Sequence, residues 1–387
     1  MLVSRDPAKI SRYVDSMVKE IALWRALIGR RARVSEIHFG GGTPSELPAP
    51  EMERIWEALR SAFDVQTQAR VSIEVDPRHL QAESDADRFL KLGFNRISLG
   101  VQDFDAQVQK AVNRIQPREQ TFNVYRWFKA RGVPSINIDL IYGLPHQTRE
   151  SFESTLQQVI ELNPDRIALF QFAYLPNLKK HHGMIDAAAI PSPQLRLQLF
   201  NRALRKFGEQ GYVYLGMDHF AKAEDALTQA ARERRMGRNF QGYHEGHSPY
   251  MITVGSSSIG VLADVYFQNT KDLGVYEAQV TAGCLPVERG FVMSADDLLR
   301  RHVIERLMCD FSLDYAAVEH WGGICFADYF GHELNELEAM AADGLLVLEP
   351  GGLRVTPQGK HLIRYIAKCF DAYARAGKMS PHHMQAV

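Results

Sequence analysis

The chain has 387 residues, enough for two or three domains and a sizeable buried core, which excludes the small disulfide-stapled scaffolds. It is 45% hydrophobic, 24% charged and 10% aromatic, the composition of an ordinary globular protein rather than a disordered or fibrous one. Lys plus Arg number 45 and Asp plus Glu 46, a net charge of -1 with His neutral, so the molecule as a whole has no electrostatic footprint for nucleic acid or an anionic membrane.

The chain starts MLVSRDPAK, without the apolar core of a secretory signal. A first helix follows: Pro7 suits its first turn, and Ile10, Val14, Val18, Ile21 and Leu27 supply an apolar stripe. Five short apolar runs come next, at Ser35 to Phe39, Val71 to Val75, Arg96 to Val101, Ser135 to Ile141 and Arg166 to Phe172, each leading through turn residues into an amphipathic segment. This alternation is that of parallel βαβ units, and it fits a partial (β/α) barrel or a doubly wound sheet. A βα fold that opens on a helix leaves its neighbouring strand with an uncovered edge, so an upstream strand is expected to be missing.

After Pro191 the texture changes to a helix at Gln194 to Gln210 and then a Gly- and aromatic-rich stretch with short β-like pieces through Gly260. From about Ser294 it changes again. Val303 to Cys309 and Glu333 to Asp343 read as helices, Gly344 to Leu348 and Leu353 to Val355 as a hairpin turning at Pro350 to Gly352, and Gly359 to Ala374 as a final helix. Helices followed by a hairpin make a winged-helix-like module, expected here as a lid or packing domain because its charge is mixed. The expected divisions are residues 1–190, 191–293 and 294–387. No run approaches the roughly 18 to 20 apolar residues of a membrane span.

Parallel α/β folds bind ligands at the carboxyl ends of their strands, and all five runs end in polar or glycine residues. The first gives Gly40-Gly41-Gly42-Thr43-Pro44, where missing side chains admit close approach to backbone or simply permit a tight turn; it matches neither phosphate-binding glycine motif. Glu74 lies between Ile73 and Val75, and Asp139 between Ile138 and Leu140, so each points to the face opposite its apolar neighbours. An ion pair of Glu74 with Arg78 or Arg96 is the alternative to a ligand role. Together with Gln102, two inward carboxylates suit a ligand bearing an ammonium, hydroxyls or a ribose.

The four cysteines, Cys284, Cys309, Cys325 and Cys369, are far apart and include no C-x2-C pair; they read as buried, reduced thiols of a cytoplasmic protein, unable to gather a cluster or metal locally. His181-His182 reads as a solvated pair, and His219 either titrates near neutrality beside Asp218 or is a satisfied core histidine.

Read together, FGGGTPS (Phe39 to Ser45), IEVDPR (Ile73 to Arg78), GFNRISLGVQDF (Gly93 to Phe104) and NIDLIYGLPHQT (Asn137 to Thr148) resemble a radical S-adenosylmethionine enzyme. GMDHFA (Gly216 to Ala221), RNFQGY (Arg238 to Tyr243) and LLRRHVIERLMCDFSLDY (Leu298 to Tyr315) narrow the resemblance to the oxygen-independent coproporphyrinogen III oxidase family, over nearly the entire chain. The implied fold is α/β: a partial (β/α) barrel of the radical S-adenosylmethionine type, its first strand missing, plus a mainly helical C-terminal domain with a small hairpin. By position, the resemblance assigns S-adenosylmethionine binding to Gly41, Gly42, Thr43, Glu74, Gln102, Arg114, Asp139, Ala173 and Ile259, and it names no catalytic side chain.

The implied reaction is oxidative decarboxylation of two propionates of coproporphyrinogen III to vinyl groups, giving protoporphyrinogen IX. Local cations such as Arg238, Arg300 or Arg301 are expected to meet the substrate's carboxylates. The implied partners are this tetrapyrrole, an electron donor and an electron acceptor; no nucleic acid, no membrane span and a monomeric state are expected. The family holds a 4Fe-4S cluster on a C-x3-C-x2-C loop after the first barrel strand, and Leu2-Val3-Ser4-Arg5 resembles the sequence after that loop. The expectation is a truncated chain or a misassigned start, unable by itself to bind the cluster or turn over. A natural cluster-free descendant, acting as a tetrapyrrole-binding or haem-trafficking protein, is the alternative.

Overall fold

A computed structural model describes residues 6–246 and 248–377, apart from the side chains of Lys180 and His181, so His181 lies outside the description. The chain divides into two compact units, Met1–Gln210 with Pro249–Phe291, and Gly211–Ser248 with Val292–Val387.

The first unit opens on α1 (Pro7–Ile28), started by the Asp6 side chain, which accepts from Ala8 N at 3.0 Å, and stopped by Gly29 in the left-handed region at φ 74. Val14, Ile21 and Trp24 are buried along it. Leu27 is not part of the stripe: it is 65% exposed, because at 100° per residue it falls opposite Val14 and Ile21, and Ile28 completes the stripe instead.

Five strands follow, β1 (Arg33–Phe39), β2 (Asp64–Val75), β3 (Arg96–Gln102), β4 (Ser135–Tyr142) and β5 (Arg166–Gln171), pairing in sequence order and all parallel. Between them lie α2 (Ala49–Ala62), α3 (Glu83–Leu92), α4 (Ala106–Ala111), α5 (Arg118–Ala130) and α6 (Arg149–Leu162); α7 (Pro193–Glu209) follows β5. This is the expected (β/α) arrangement, and period-2 alternation explains its polarity. Ile73, Leu99, Ile138, Leu140 and Leu169 are fully buried, whereas their neighbours Glu74, Ser98, Gln102, Asn137 and Asp139 are only partly so. One face of the sheet therefore holds apolar core while the other keeps its polar groups.

In the second unit, β6 (Tyr212–Gly216) and β7 (His219–Lys222) form a hairpin, α8 (Ala226–Arg232) follows, and β8 (Gly237–Asn239) pairs antiparallel with β9 (Gly242–His244). The chain then returns to the first unit as a four-stranded sheet, β10 (Tyr250–Met251), β11 (Ile259–Leu262), β12 (Val265–Asn269) and β13 (Val287–Val292), with α9 (Leu273–Thr281) between the last two.

The rest of the second unit starts with α10 (Ala295–Asp310), capped by reciprocal bonds between Ser294 and Asp297. After it, β14 (Ser312–Asp314), β15 (Leu346–Glu349) and β16 (Gly352–Val355) make a small antiparallel sheet around helices that include Gly331–Ala342, so the expected hairpin gains a third strand. The expected helix Gly359 to Ala374 is instead broken into Gly359–Leu362, Ile363–Lys368 and Ala372–Arg375. Phe370 is fully buried, and Asp371 restarts the helix by accepting from Tyr373 N and Ala374 N. No described helix is long and apolar enough to cross a membrane.

Candidate functional site: the polar ends of the parallel strands

The site is built where β1 ends. Gly41 adopts φ +83, and its N–H donates to Glu74 Oε2 at 3.3 Å. Gly40 lacks a side chain for a different reason: a Cβ there would lie 2.3 Å from His38 Nε2 and 2.6 Å from Glu74 Oε1. Gly42 is exposed, and Thr43 leads into the short turn Pro44–Glu46. Ser45 ties the turn to the end of β2, its hydroxyl accepting from Asp76 N at 3.2 Å.

Glu74 is 43% exposed, with His38 Nε2 3.3 Å from Oε1; the other ring nitrogen of His38 lies 2.8 Å from Ser72 Oγ. Arg78 does not pair with Glu74, because its guanidinium is bound to Asp76 at 2.7 Å. On β4, Asp139 accepts from Ser98 Oγ at 2.9 Å and from Asn137 Nδ2 at 2.6 Å. Burial pushes its carboxyl up to about 6 against the Ser98 hydrogen bond, and the charge of Glu74 adds to the rise. Glu74 and Asp139 thus share one electrostatic neighbourhood.

A second pair converges beside them. Gln102 ends β3 at φ +68, where the register with β4 slips between Gly100 and Gln102. Above Gly100, a Cβ would meet Gln102 Nε2 at 3.0 Å and Arg114 Nη2 at 3.2 Å. Arg114 is anchored, donating to Gly100 O at 2.7 Å and pairing with Asp76 at 3.1 Å. Although burial opposes it, Arg78 and Arg114 hold the Asp76 carboxyl below its ordinary range.

Ala173 follows β5 and is exposed, and Ile259 begins β11 in the four-stranded sheet; no hydrogen bond joins either residue to Glu74 or Asp139. The loop before Ile259 is tied instead to α1. Gly255 N donates to Glu20 Oε2 at 2.8 Å, and Ser256 N to Tyr13 Oη at 3.0 Å.

His38, Ser98 and Asn137 escaped the sequence reading. His38 sits two residues before Gly40 and Asn137 two before Asp139 on the same strand face, and Ser98 lies between the buried Ile97 and Leu99, so the alternation that exposed Glu74 could have found them. Other expectations need correction. His182 is buried, not solvated: Leu175 N donates to its Nδ1 at 3.0 Å, and its ring lies parallel to Tyr174. Cys309 and Cys369 are buried and their thiols pushed up to about 12 by burial, but Cys284 and Cys325 are exposed. Arg300 is committed to Asp296 at 2.9 Å and Glu333 at 2.7 Å, which removes it as a meeting point for ligand carboxylates. His219 packs edge-on against Tyr243, ring centroids 5.3 Å apart.

Comparison with known proteins gives the frame. Residues 6–159 match the radical SAM superfamily and residues 293–362 the HemN C-terminal domain. The chain is 42% identical to the oxygen-independent coproporphyrinogen III oxidase of Synechocystis sp., over 96% of this chain and 80% of that protein. Its identity to the Escherichia coli protein of the same name is also 42%, over 97% of this chain and 81% of the relative. The solved structure of coproporphyrinogen III oxidase from Escherichia coli, described as a radical SAM enzyme, superposes with a TM-score of 0.93 at 42% identity, covering 96% of this chain and 85% of that one. The chain belongs to the oxygen-independent coproporphyrinogen III oxidase family of the radical SAM superfamily.

Proposed function

We propose that this chain is the polypeptide of an oxygen-independent oxidative decarboxylation of coproporphyrinogen III in haem biosynthesis, in the cytoplasm, with S-adenosylmethionine bound at the polar ends of β1 to β4, and that by itself it does not turn over. The observation that carries the reading is the pair Glu74 and Asp139, two partly exposed carboxylates facing one neighbourhood beside a glycine segment that a side chain would fill. Bound there and supplied with one electron by a reductant, S-adenosylmethionine would furnish the radical that takes a hydrogen atom from a propionate, which would then lose carbon dioxide, pass one electron to an acceptor and become a vinyl group.

The chain's own residues receive and orient. Gly41 and Gly42 let a ligand's amino end reach backbone, and Thr43 adds a hydroxyl. Glu74, and Asp139 when ionised, oppose the ammonium and sulfonium charges. Gln102 and Arg114 offer an amide and a guanidinium to hydroxyl or carboxylate groups, and Arg114 holds its place through Asp76. Ala173 and Ile259 are assigned to S-adenosylmethionine by family resemblance alone.

A 4Fe-4S cluster, which the family uses, does not fit the side chains of this chain. Two of its four thiols are buried with raised pKa values, and among the described residues no three His, Cys, Asp or Glu side chains gather to hold a metal.

Equilibrium dialysis with S-adenosylmethionine tests the reading. Binding by the 387-residue chain, lost in Asp139→Ala, is the expected result. Stoichiometric haem binding without any S-adenosylmethionine binding would overturn it in favour of a tetrapyrrole carrier.

A further inference from the structure

The second unit holds an arginine that is fixed in place and whose Nη1 finds no hydrogen-bond partner among the described residues. Arg238 lies on β8, where its backbone N donates to Glu305 Oε1 at 3.3 Å. Its guanidinium stacks over the Tyr243 ring on β9, 4.8 Å from the centroid, and that ring is pinned by its hydroxyl, which donates to Met308 O at 2.8 Å. Gly237, just before it, cannot carry a side chain, since a Cβ would come within 2.5 Å of the His244 ring, so the hairpin that presents Arg238 is tightly closed.

Despite this support, Arg238 Nη1 is buried and finds no hydrogen-bond partner among the described residues. The carboxylates around it make their short contacts elsewhere: Asp218, which feels the charge of Arg238, lies 3.5 Å from Arg364, Asp310 pairs with Arg306 at 3.0 Å, and Glu305 accepts from the backbone of Arg238 itself. A buried guanidinium nitrogen held rigid without a hydrogen-bond partner is costly, and a ligand that accepts from it removes the cost. Its planar fork of donors matches the two oxygens of a carboxylate, the anionic group that the tetrapyrrole carries.

We infer that Arg238 is a ligand-binding residue that receives a carboxylate, an inference that rests on the function proposed above. The ligand of that reading that carries the chemistry is the tetrapyrrole, through a propionate.

Binding of coproporphyrin III by fluorescence quenching, with S-adenosylmethionine binding by equilibrium dialysis as the control, is measured on the wild-type chain, Arg238→Gln and Arg238→Lys. The expected result is a loss of about tenfold or more for coproporphyrin III in Arg238→Gln, with partial recovery in Arg238→Lys and S-adenosylmethionine unaffected. Affinity for coproporphyrin III within twofold of wild type in a folded Arg238→Gln would overturn the inference and leave Arg238 a packing residue on Tyr243. If Arg238→Gln does not fold, Arg238→Lys decides alone: weakening of coproporphyrin III with S-adenosylmethionine unaffected supports the inference, and unchanged affinity for coproporphyrin III overturns it. Failure of the wild-type chain to bind either ligand would overturn the functional reading and this inference together, an outcome distinct from failure in the variants alone.

Discussion

Glu20 and Asp139 in the first unit are both pushed toward the protonated form by burial, yet the clusters they belong to are built for different ends. Glu20 on α1 is wholly buried and accepts from Tyr276 Oη at 2.6 Å, Asn269 Nδ2 at 2.7 Å and Gly255 N at 2.8 Å. Its donors come from α9, β12 and the loop before β11, so one side chain ties three separate pieces of backbone to the first helix. Glu74 and Asp139 draw donors from neighbouring strands and keep exposed surface, and the charge of Glu74 raises the proton affinity of Asp139. A carboxylate whose oxygens are all occupied holds a fold together, whereas a partly exposed pair leaves charge for a ligand.

The widest gap between the clusters should appear in stability. Glu20→Ala strands the Tyr276 hydroxyl, the Asn269 amide and the Gly255 N–H, and a loss of about 3 kcal/mol is expected in urea unfolding. A loss under about 1 kcal/mol would mean that Glu20 is not the tie described.

Glu74→Ala should do the reverse, weakening S-adenosylmethionine in equilibrium dialysis by about 10- to 100-fold while leaving unfolding within about 0.5 kcal/mol of wild type.

Asp139→Asn sharpens the contrast through pH. The folded carboxyl, at about 6, lies above the ordinary value near 4, so the folded state holds the proton more tightly. Its contribution to stability is full below about pH 4 and is lost as pH rises through about 6. Asp139→Asn should therefore flatten that part of the melting curve against pH and melt above wild type at pH 7.5, while binding S-adenosylmethionine about tenfold more weakly. A variant that melts lower at pH 7.5 would place Asp139 with Glu20 as a structural group.

The smallest effect is expected at His38, which supports Glu74 at 3.3 Å without reaching further. His38→Ala should weaken S-adenosylmethionine by only about threefold, the worth of one modest hydrogen bond, and a hundredfold loss would make His38 itself a ligand contact.

Glu74 and Asp139 were legible because a charged residue between two β-branched or leucine neighbours declares the strand's other face. His38, Ser98 and Asn137 declare nothing alone, since their role depends on register: His38 opposite Ser72, and Ser98 opposite both Glu74 and Asn137. Arg114 came only from family resemblance, because its place over Gly100 depends on the turn after α4 bringing it back to β3. Glu20 was passed over on α1, where a glutamate beside Ile21 looks like an ordinary solvated position until α9 and β12 close over it.

The sequence by itself determined the parallel strands, the polar residues at their ends and the family, because these rest on local periodicity and on words contiguous in the chain. Tertiary structure decided which carboxylates are saturated and which remain available, which arginines are paired, and where the last helix breaks. Those outcomes depend on donors and acceptors that lie far apart in the chain and meet only when the strands fall into register and the helices pack.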